Sequence, residues 1–211
     1  GGVANQTSVS DGGTLNVNKG GTINMTTSNS GWGGFIDTKI NVNDGGTANR
    51  TKVEDGVSMN ANAGSTVSNT NVGGTMNVEA GATVDKVLVD SDATLNLKDG
   101  ASVSNIGSWS PEDEIEESAV SGHISAGKDV VLDGLLMGER GSFDFSTDMT
   151  IKNGKYEKDY GETQEKTFSI ENNKADGFII NGGSSFTITE NGSLSNSVVK
   201  GPDDGYGSGG K

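Results

Sequence analysis

The 211-residue chain contains no cysteine, two prolines, two arginines and one histidine, and only 5% of its residues are aromatic. Without cysteine the fold has no disulfide and the protein has no thiol chemistry. No apolar run approaches the ~20 residues that a membrane-spanning helix needs, and the N-terminus shows no signal-peptide pattern. Because only 30% of the residues are hydrophobic, a globule built from them would have a thin core. Repeated backbone pairing must therefore supply much of the stability.

Basic side chains are also scarce. The chain has 15 Lys and Arg residues against 29 Asp and Glu residues, which gives a formal net charge of −14. Such a surface repels nucleic-acid backbones and anionic membranes, so neither is an expected partner. The simpler interpretation of the acidity is that it keeps a strand-rich surface soluble.

What the chain does contain is glycine, 34 residues of it, and an ordered alternation of apolar and polar residues. Short stretches such as Leu15-Asn16-Val17, Met76-Asn77-Val78 and Leu95-Asn96-Leu97 alternate with a period of two. This period is typical of half-buried strands, and no stretch has a convincing helical period. The sequence therefore predicts an all-β architecture whose turns are made by glycine.

Two short sequence motifs recur along the chain, and we call them phrases. The first is a Gly turn, then a small residue or threonine, then apolar-Asn-apolar, as in GTLNV (13–17), GTINM (21–25), GTMNV (74–78) and ATLNL (93–97), with SMNA (58–61) as a weaker copy. The second reads small-x-polar-Thr-x-Val, as in ANQTSV (4–9), ANRTKV (48–53), VSNTNV (67–72) and VDKVLV (84–89), and FIDTKI (35–40) is grouped with it.

The spacing of these phrases indicates a β-solenoid of about 18 residues per rung. Met59, Met76 and Leu95 hold the same phrase position and follow one another at nearly that interval. Two short strands and two turns in that length are too short for a helical repeat. A single rung cannot bury its own apolar face, but a stack of like rungs can. At ~4.8 Å per rung, some ten rungs would form a rod of roughly 50 Å.

The Gly-Gly-Thr-apolar-Asn-apolar and Asn-x-Thr-x-Val phrases of residues 1–107 resemble the Gly-rich repeats of AIDA-type autotransporter passengers, the self-associating adhesins of Gram-negative bacteria. The resemblance implies a right-handed parallel β-helix that is secreted and displayed on the cell surface, anchored to the outer membrane through another region of the parent chain. It also implies a role in cell adhesion or cell aggregation, with copies of itself or a host surface protein or glycan as partner. Some members of that family carry sugar on repeat Ser or Thr residues.

Three parts of the chain differ in regularity. Residues 1–107 hold the regular repeats, residues 108–199 are expected to form less regular rungs with loop excursions, and residues 200–211 read as a Gly-rich tail or linker. The chain also reads as a fragment of a longer protein. The excursions are residues 26–34, 107–120 and 153–166, because these stretches break the phrases.

Aromatic residues in these excursions are the first candidate contact sites. Trp32, Trp109, Tyr156 and Tyr160 lie there, and an exposed aromatic ring can stack on a sugar or anchor a protein partner. The alternative is that each ring folds back over an apolar strip of the rod.

Polar rows are the second candidate. Thr7, Thr51 and Thr70 share one phrase position and are candidate self-association residues. A second phrase position is shared by asparagines, namely Asn16, Asn24, Asn60, Asn77 and Asn96. Both rows could pair with the same rows of another copy. The alternative is that they form ladders inside the rod or at its corners.

Catalytic groups are few. His123 has no second His or Cys with which to form a metal site or a triad, and no phosphate-binding, dinucleotide-binding or calcium-repeat motif occurs. We therefore expect no enzyme activity, no cofactor and no metal. The predicted function is that of an adhesin or self-association passenger. The alternative is a carbohydrate-active β-helix, such as a phage-type depolymerase or a polysaccharide lyase, which would need several carboxylates or a basic residue at one rung.

Overall fold

The computed structural model describes residues 1–29, 37–107, 119–138, 140–157 and 166–200. Every regular element in these ranges is a strand, and the strands are numbered β1 to β22 in chain order. Within the same ranges there is no helix of the length and apolar character that crossing a bilayer requires. Over most of the chain, successive strands join two sheets in turn and pair in parallel with the strands of the previous rung. The predicted parallel β-solenoid is confirmed.

The described residues of the solenoid form three sheets. Sheet 1 contains β1 (Val3–Asn5), β2 (Ser8–Val9), β4 (Thr22–Ser28), β6 (Thr47–Val53), β8 (Thr66–Val72), β10 (Thr83–Val89), β12 (Ser102–Ile106), β14 (Val131–Met137), β16 (Thr150–Tyr156), β17 (Thr167–Glu171), β18 (Lys174–Asp176) and β21 (Ser193–Ser195). Sheet 2 contains β3 (Thr14–Val17), β5 (Thr38–Val42), β7 (Val57–Ala61), β9 (Thr75–Val78), β11 (Thr94–Leu97), β13 (His123–Ala126), β15 (Ser142–Ser146) and β20 (Ser185–Thr187). Sheet 3 is the pair β19 (Ile179–Ile180) and β22 (Val198–Val199).

Along sheet 1, successive rungs carry a residue in the left-handed backbone region (positive φ) at the same place, where the strand bends. We call this bend the corner and the stacked residues the corner row. Asn69 has φ 54°, between outward Ser68 and inward Thr70. In a regular strand, successive side chains point alternately into the core and out to solvent. The left-handed residue breaks this alternation, because its side chain and the one before it both point outward. The row is Gln6, Met25, Arg50, Asn69, Lys86, Asn105, Gly134, Asn153, Gly177 and Asn196.

Met25 is the member of this row least suited to its backbone. Its φ is 51° and its side chain is 44% exposed, so the strain is not offset by burial. Asparagine tolerates this region better than other non-glycine residues. Met25→Asn should raise the free energy of unfolding by about 0.5–1 kcal/mol, measured by urea denaturation. Met25→Ala keeps the strained Cβ without an amide and should not raise it.

Rung length varies at the turns and leaves the strands in register. Met59 pairs with Met76 across a short rung, because Gly73-Gly74 makes a tight turn. A Cβ on Gly74 would lie 2.4 Å from the Glu54 carbonyl oxygen, so only glycine fits. Two longer rungs, read from the pairs Ile23 with Ala48 and Val103 with Leu132, contain the stretches 30–36 and 108–118.

Two phrase assignments from the sequence are wrong. Asn24 of the GTINM phrase lies in β4 of sheet 1, where it pairs with Asn5 and Asn49, and not in the row of Asn16. Residues 38–40 of the FIDTKI stretch lie in β5 of sheet 2, where Ile40 pairs with Leu15. Both errors arose because the two phrases share an apolar-polar alternation that does not reveal which sheet a strand joins.

The core is a set of stacked apolar rows between the sheets. In sheet 2 one row runs through Ile40, Met59, Met76, Leu95 and Ile124, each 0% exposed. Each rung contributes a few such side chains, and each fully buried one stabilises the fold by about 1.5–3 kcal/mol. Stacked rows therefore supply what a thin globular core could not.

The C-terminal rungs depart from the parallel pattern. Strand β17 pairs antiparallel with both β16 and β18, so two extra strands enter sheet 1 between β16 and β21. Sheet 2 gains none there, since β15 pairs directly with β20. Aromatic side chains fill the widened interior, namely Phe143, Phe145, Tyr156, Phe168, Phe178 and Phe186.

Candidate functional site: polar rows on the outside of the solenoid

A ladder of asparagines follows the outer face of sheet 2. Each side-chain amide nitrogen donates to the amide oxygen of the previous rung at 2.8–2.9 Å, in the order Asn96, Asn77, Asn60, Asn41 and Asn16. An amide has two N–H donors and an oxygen with two lone pairs, so each inner member keeps one donor and one lone pair that the ladder does not use. We call this ladder and the row beside it the amide face.

The row beside the ladder lies two residues earlier on each strand, on the same side of the sheet. Its members are Lys39, Ser58, Thr75, Thr94, His123 and Ser142, paired rung to rung. Ser58, Thr75 and Thr94 are half-buried. The amide face therefore presents hydroxyls and amides at the strand spacing of about 4.8 Å.

His123 begins β13 and continues this row. Its Nδ1 lies 2.8 Å from Ser142 Oγ and its Nε2 lies 3.2 Å from Asp144 Oδ2. The three residue types are those of a nucleophilic triad, but the backbone N–H groups of Ser142 and His123 already donate to Gly122 and Ala93 at 3.0 and 2.9 Å. Neither is available to stabilise an oxyanion. The contacts join two rungs of the outer face.

The prediction that Thr51 and Thr70 form an outward row is wrong. Their side chains are 2% and 0% exposed, and Thr26 of the same row is 0% exposed. The left-handed residue before each threonine takes an outward position, so the threonine turns inward. The Oγ atoms of these three have no hydrogen-bond partner in the structure. Thr7, in the first rung, is half-buried.

The prediction of an exposed contact at Tyr156 is also wrong. The ring is 9% exposed and packs on Phe168 with centroids 4.6 Å apart. Its hydroxyl accepts a 2.8 Å hydrogen bond from the Ile179 backbone N–H. Burial raises the pKa of Tyr156 to about 12, and the backbone contact with Ile179 acts weakly against that rise. Trp32, Trp109 and Tyr160 lie outside the described residues.

A second set of outward contacts, which we call corner clamps, was not predicted. At alternate rungs a side-chain oxygen just before the corner accepts a hydrogen bond from the corner asparagine of the next rung. The pairs are Asn69 to Asn49 (2.6 Å), Asn105 to Asp85 (2.7 Å), Asn153 to Asp133 (2.6 Å) and Asn196 to Asp176 (2.7 Å). The sequence signal is the Ser-Asn dipeptide at 68, 104 and 195, because the serine also donates to the same oxygen in those clamps.

Among the carboxyl groups of the described residues, Asp90 has a raised pKa. Partial burial raises the pKa of Asp90, and the charge of Glu54 adds to the rise, while a hydrogen bond with Asn71 and the charge of Lys52 lower it. In the ranges given above, no three His, Cys, Asp or Glu residues come together in a way that could hold a metal ion.

Comparison with known proteins identifies no family. No family model matches the chain, and no curated protein matches it. Among solved structures, the chain is similar to the TibC-catalysed, hyper-glycosylated TibA55-350 fragment, at 18% identity and a TM-score of 0.47, over 95% of this chain and 85% of that one. A likeness of that strength supports no inference about this chain.

Proposed function

We propose that the chain is a length of a secreted, surface-displayed adhesin rod with no enzymatic role. It would associate with other copies of itself, or with a surface protein or glycan of a host cell, through repeated weak contacts along the amide face. The observation that carries this proposal is the unbroken ladder from Asn16 to Asn96, which offers unused hydrogen-bonding groups at a constant spacing.

The mechanism is multivalent binding by a rigid surface. A single hydrogen bond between two copies contributes about 0.5–1.5 kcal/mol net. The ladder already holds each amide in place, so little side-chain entropy remains to be lost on contact. Once one pair of rungs meets, the next pairs are held at high effective concentration and add to the affinity. The corner clamps stiffen the rod and keep the rows aligned.

Charge placed on the amide face should abolish this contact. In the triple variant Ser58→Glu, Thr75→Glu and Thr94→Glu the ladder is intact, but three bulky like charges face the partner copy. We expect cells displaying this variant to stop clumping, whereas cells displaying the parent chain settle. Settling rate and light microscopy measure the difference.

The matched control puts the same three charges on the other sheet. Thr66, Thr83 and Ser102 occupy exposed first positions of β8, β10 and β12 on three successive rungs, so glutamates there repel one another along the row in the same way. We expect this control to clump like the parent. Clumping that survives the amide-face variant, or that is lost equally in the control, excludes the amide face as the contact.

A carbohydrate-active solenoid is the second candidate, favoured by Asp90 and Glu54. A carboxyl group with a raised pKa near a second carboxylate is the arrangement that glycoside hydrolysis uses. Incubation with bacterial surface polysaccharide and a reducing-sugar assay tests it. Sugar release that Asp90→Asn removes would replace the adhesin proposal with this one.

A further inference from the structure

A cleft opens on the outside of the C-terminal rungs, where the antiparallel strand β17 interrupts the parallel pairing of sheet 1. It has a volume of about 350 Å³, and its lining includes Lys166, Thr167, Ile179, Asn196, Val198 and Lys200. On one side lies the start of β17, and on the other lies sheet 3. Strands β19 and β22 pair with each other and with no strand of sheet 1 in the described part of the chain. The cleft is therefore a gap in the backbone pairing of the rod, between sheet 1 and sheet 3.

Contacts behind the cleft hold it open. The Tyr156 hydroxyl accepts a hydrogen bond from the Ile179 N–H at 2.8 Å and lies 3.4 Å from the Ile179 carbonyl oxygen, so it takes the place of a neighbouring strand. At Gly177 (φ 78°) a Cβ would lie 2.3 Å from the Thr167 carbonyl oxygen. Only glycine lets β17 come this close to the corner. The cleft is thus built by the Tyr156 hydroxyl and by the close backbone approach at Gly177, and it exists before any ligand binds.

The lining combines positive charge with an apolar surface. Lys166 and Lys200 are both exposed, and of the described residues that line the cleft none is acidic, although the chain carries a net charge of −14. Val198 is 55% exposed and Ile179 is half-buried. Asp176 directly precedes the lining residue Gly177, and hydrogen bonds from Ser195 and Asn196 at 2.8 and 2.7 Å fix its carboxylate in a corner clamp. These neutral donors do not remove its charge, but the two lysines outnumber it and leave the site net positive.

We propose that this cleft binds a carboxylated sugar residue, such as a uronic acid. The carboxylate lies between the ammonium groups of Lys166 and Lys200, and the apolar face of the ring packs on Val198. The Thr167 hydroxyl and the Asn196 amide lie within the same lining and bond to ring hydroxyls. An acidic peptide would bring charge as well, but a cleft of this size with one short apolar strip fits one or two sugar rings. This site lies apart from the amide face, so it does not depend on self-association.

Methyl glucuronide and methyl glucoside are the matched probes, because they differ only in the carboxylate at C6. Titration of the isotope-labelled 211-residue chain, followed by amide NMR shifts, measures the affinity for each. We expect glucuronide to shift the amides of the cleft and to bind at least about tenfold more tightly than glucoside, with an affinity that falls as salt is added. Sodium acetate at equal ionic strength should bind more weakly than glucuronide.

Lysine variants test the assignment of the charge. Lys166→Gln with Lys200→Gln should weaken glucuronide binding about tenfold, and Val198→Asp should abolish it. Lys98→Gln with Lys128→Gln removes two exposed lysines elsewhere on the rod and should bind like the parent. The triple glutamate variant of the amide face should also bind like the parent, even though its cells no longer clump. Equal affinity for glucuronide and glucoside, acetate binding as tight as glucuronide, shifts outside the cleft, or no shift at all would overturn the proposal.

Discussion

Replacing Phe178 by alanine should lower the free energy of unfolding by about 3–5 kcal/mol. The side chain is 0% exposed. Its ring centroid lies 4.9 Å from those of Phe168 and Phe186 and 6.0 Å from that of Phe143. Truncation removes the aromatic contacts and leaves a cavity among side chains from several different strands, which cannot all move to fill it.

The loss should be confined to the C-terminal rungs. In a solenoid each rung contacts only its neighbours, so stability is close to a sum of local terms. Hydrogen exchange should therefore accelerate for residues 166–200 and change little for residues 37–107. Phe186→Ala is the control: this ring is only partly buried, so the loss should be smaller. A loss below about 1 kcal/mol, or one spread evenly over the chain, would contradict the assigned core.

The solenoid itself could be predicted because it is encoded in two simple regularities. Apolar-polar alternation marked the strands, and the nearly constant spacing of the phrases marked the rung. Both follow from stacking, because equivalent residues lie above one another and their types must suit the same environment. The asparagine ladder of Asn16, Asn60, Asn77 and Asn96 was visible for the same reason, although Asn41 was missed and Asn24 belongs to the other sheet.

The corner row could not be predicted in the same way. Gln6, Met25, Arg50 and Lys86 occupy left-handed positions, yet none of them is a typical turn residue. Only the stacking of rung on rung imposes that backbone on them. Because the corner shifts the alternation by one residue, missing it reversed the predicted orientation of Thr51 and Thr70.

The antiparallel insertion was equally hidden. Strand β17 fits beside β16 because Gly154 has no side chain, since a Cβ there would lie 2.6 Å from the Phe168 carbonyl oxygen. This contact is made with a strand that has no repeat signature. The burial of Tyr156 and the cleft beside Ile179 both follow from it, so neither could be read from the repeat.

Replacing the three buried threonines by valine should stabilise the protein. Thr26, Thr51 and Thr70 stack in adjacent rungs with Oγ atoms that have no hydrogen-bond partner. Burial of an unpaired hydroxyl costs about 1–3 kcal/mol. Valine has nearly the same shape and favours strands. The triple variant Thr26→Val, Thr51→Val and Thr70→Val should raise the free energy of unfolding by about 1 kcal/mol per site, measured by urea denaturation.

The control for the buried triple variant is the same exchange at the first residues of three strands of sheet 1, β6, β8 and β10, namely Thr47→Val, Thr66→Val and Thr83→Val. These side chains are half-buried or exposed, so the change in stability should stay within about 0.5 kcal/mol per site. The buried triple should also clump cells as the parent does, because the row faces the interior. A loss of stability would show that the hydroxyls are satisfied inside the rod, as by buried water. A loss of clumping at unchanged stability would mean that the threonines face outward after all, and the corner row would then be wrong.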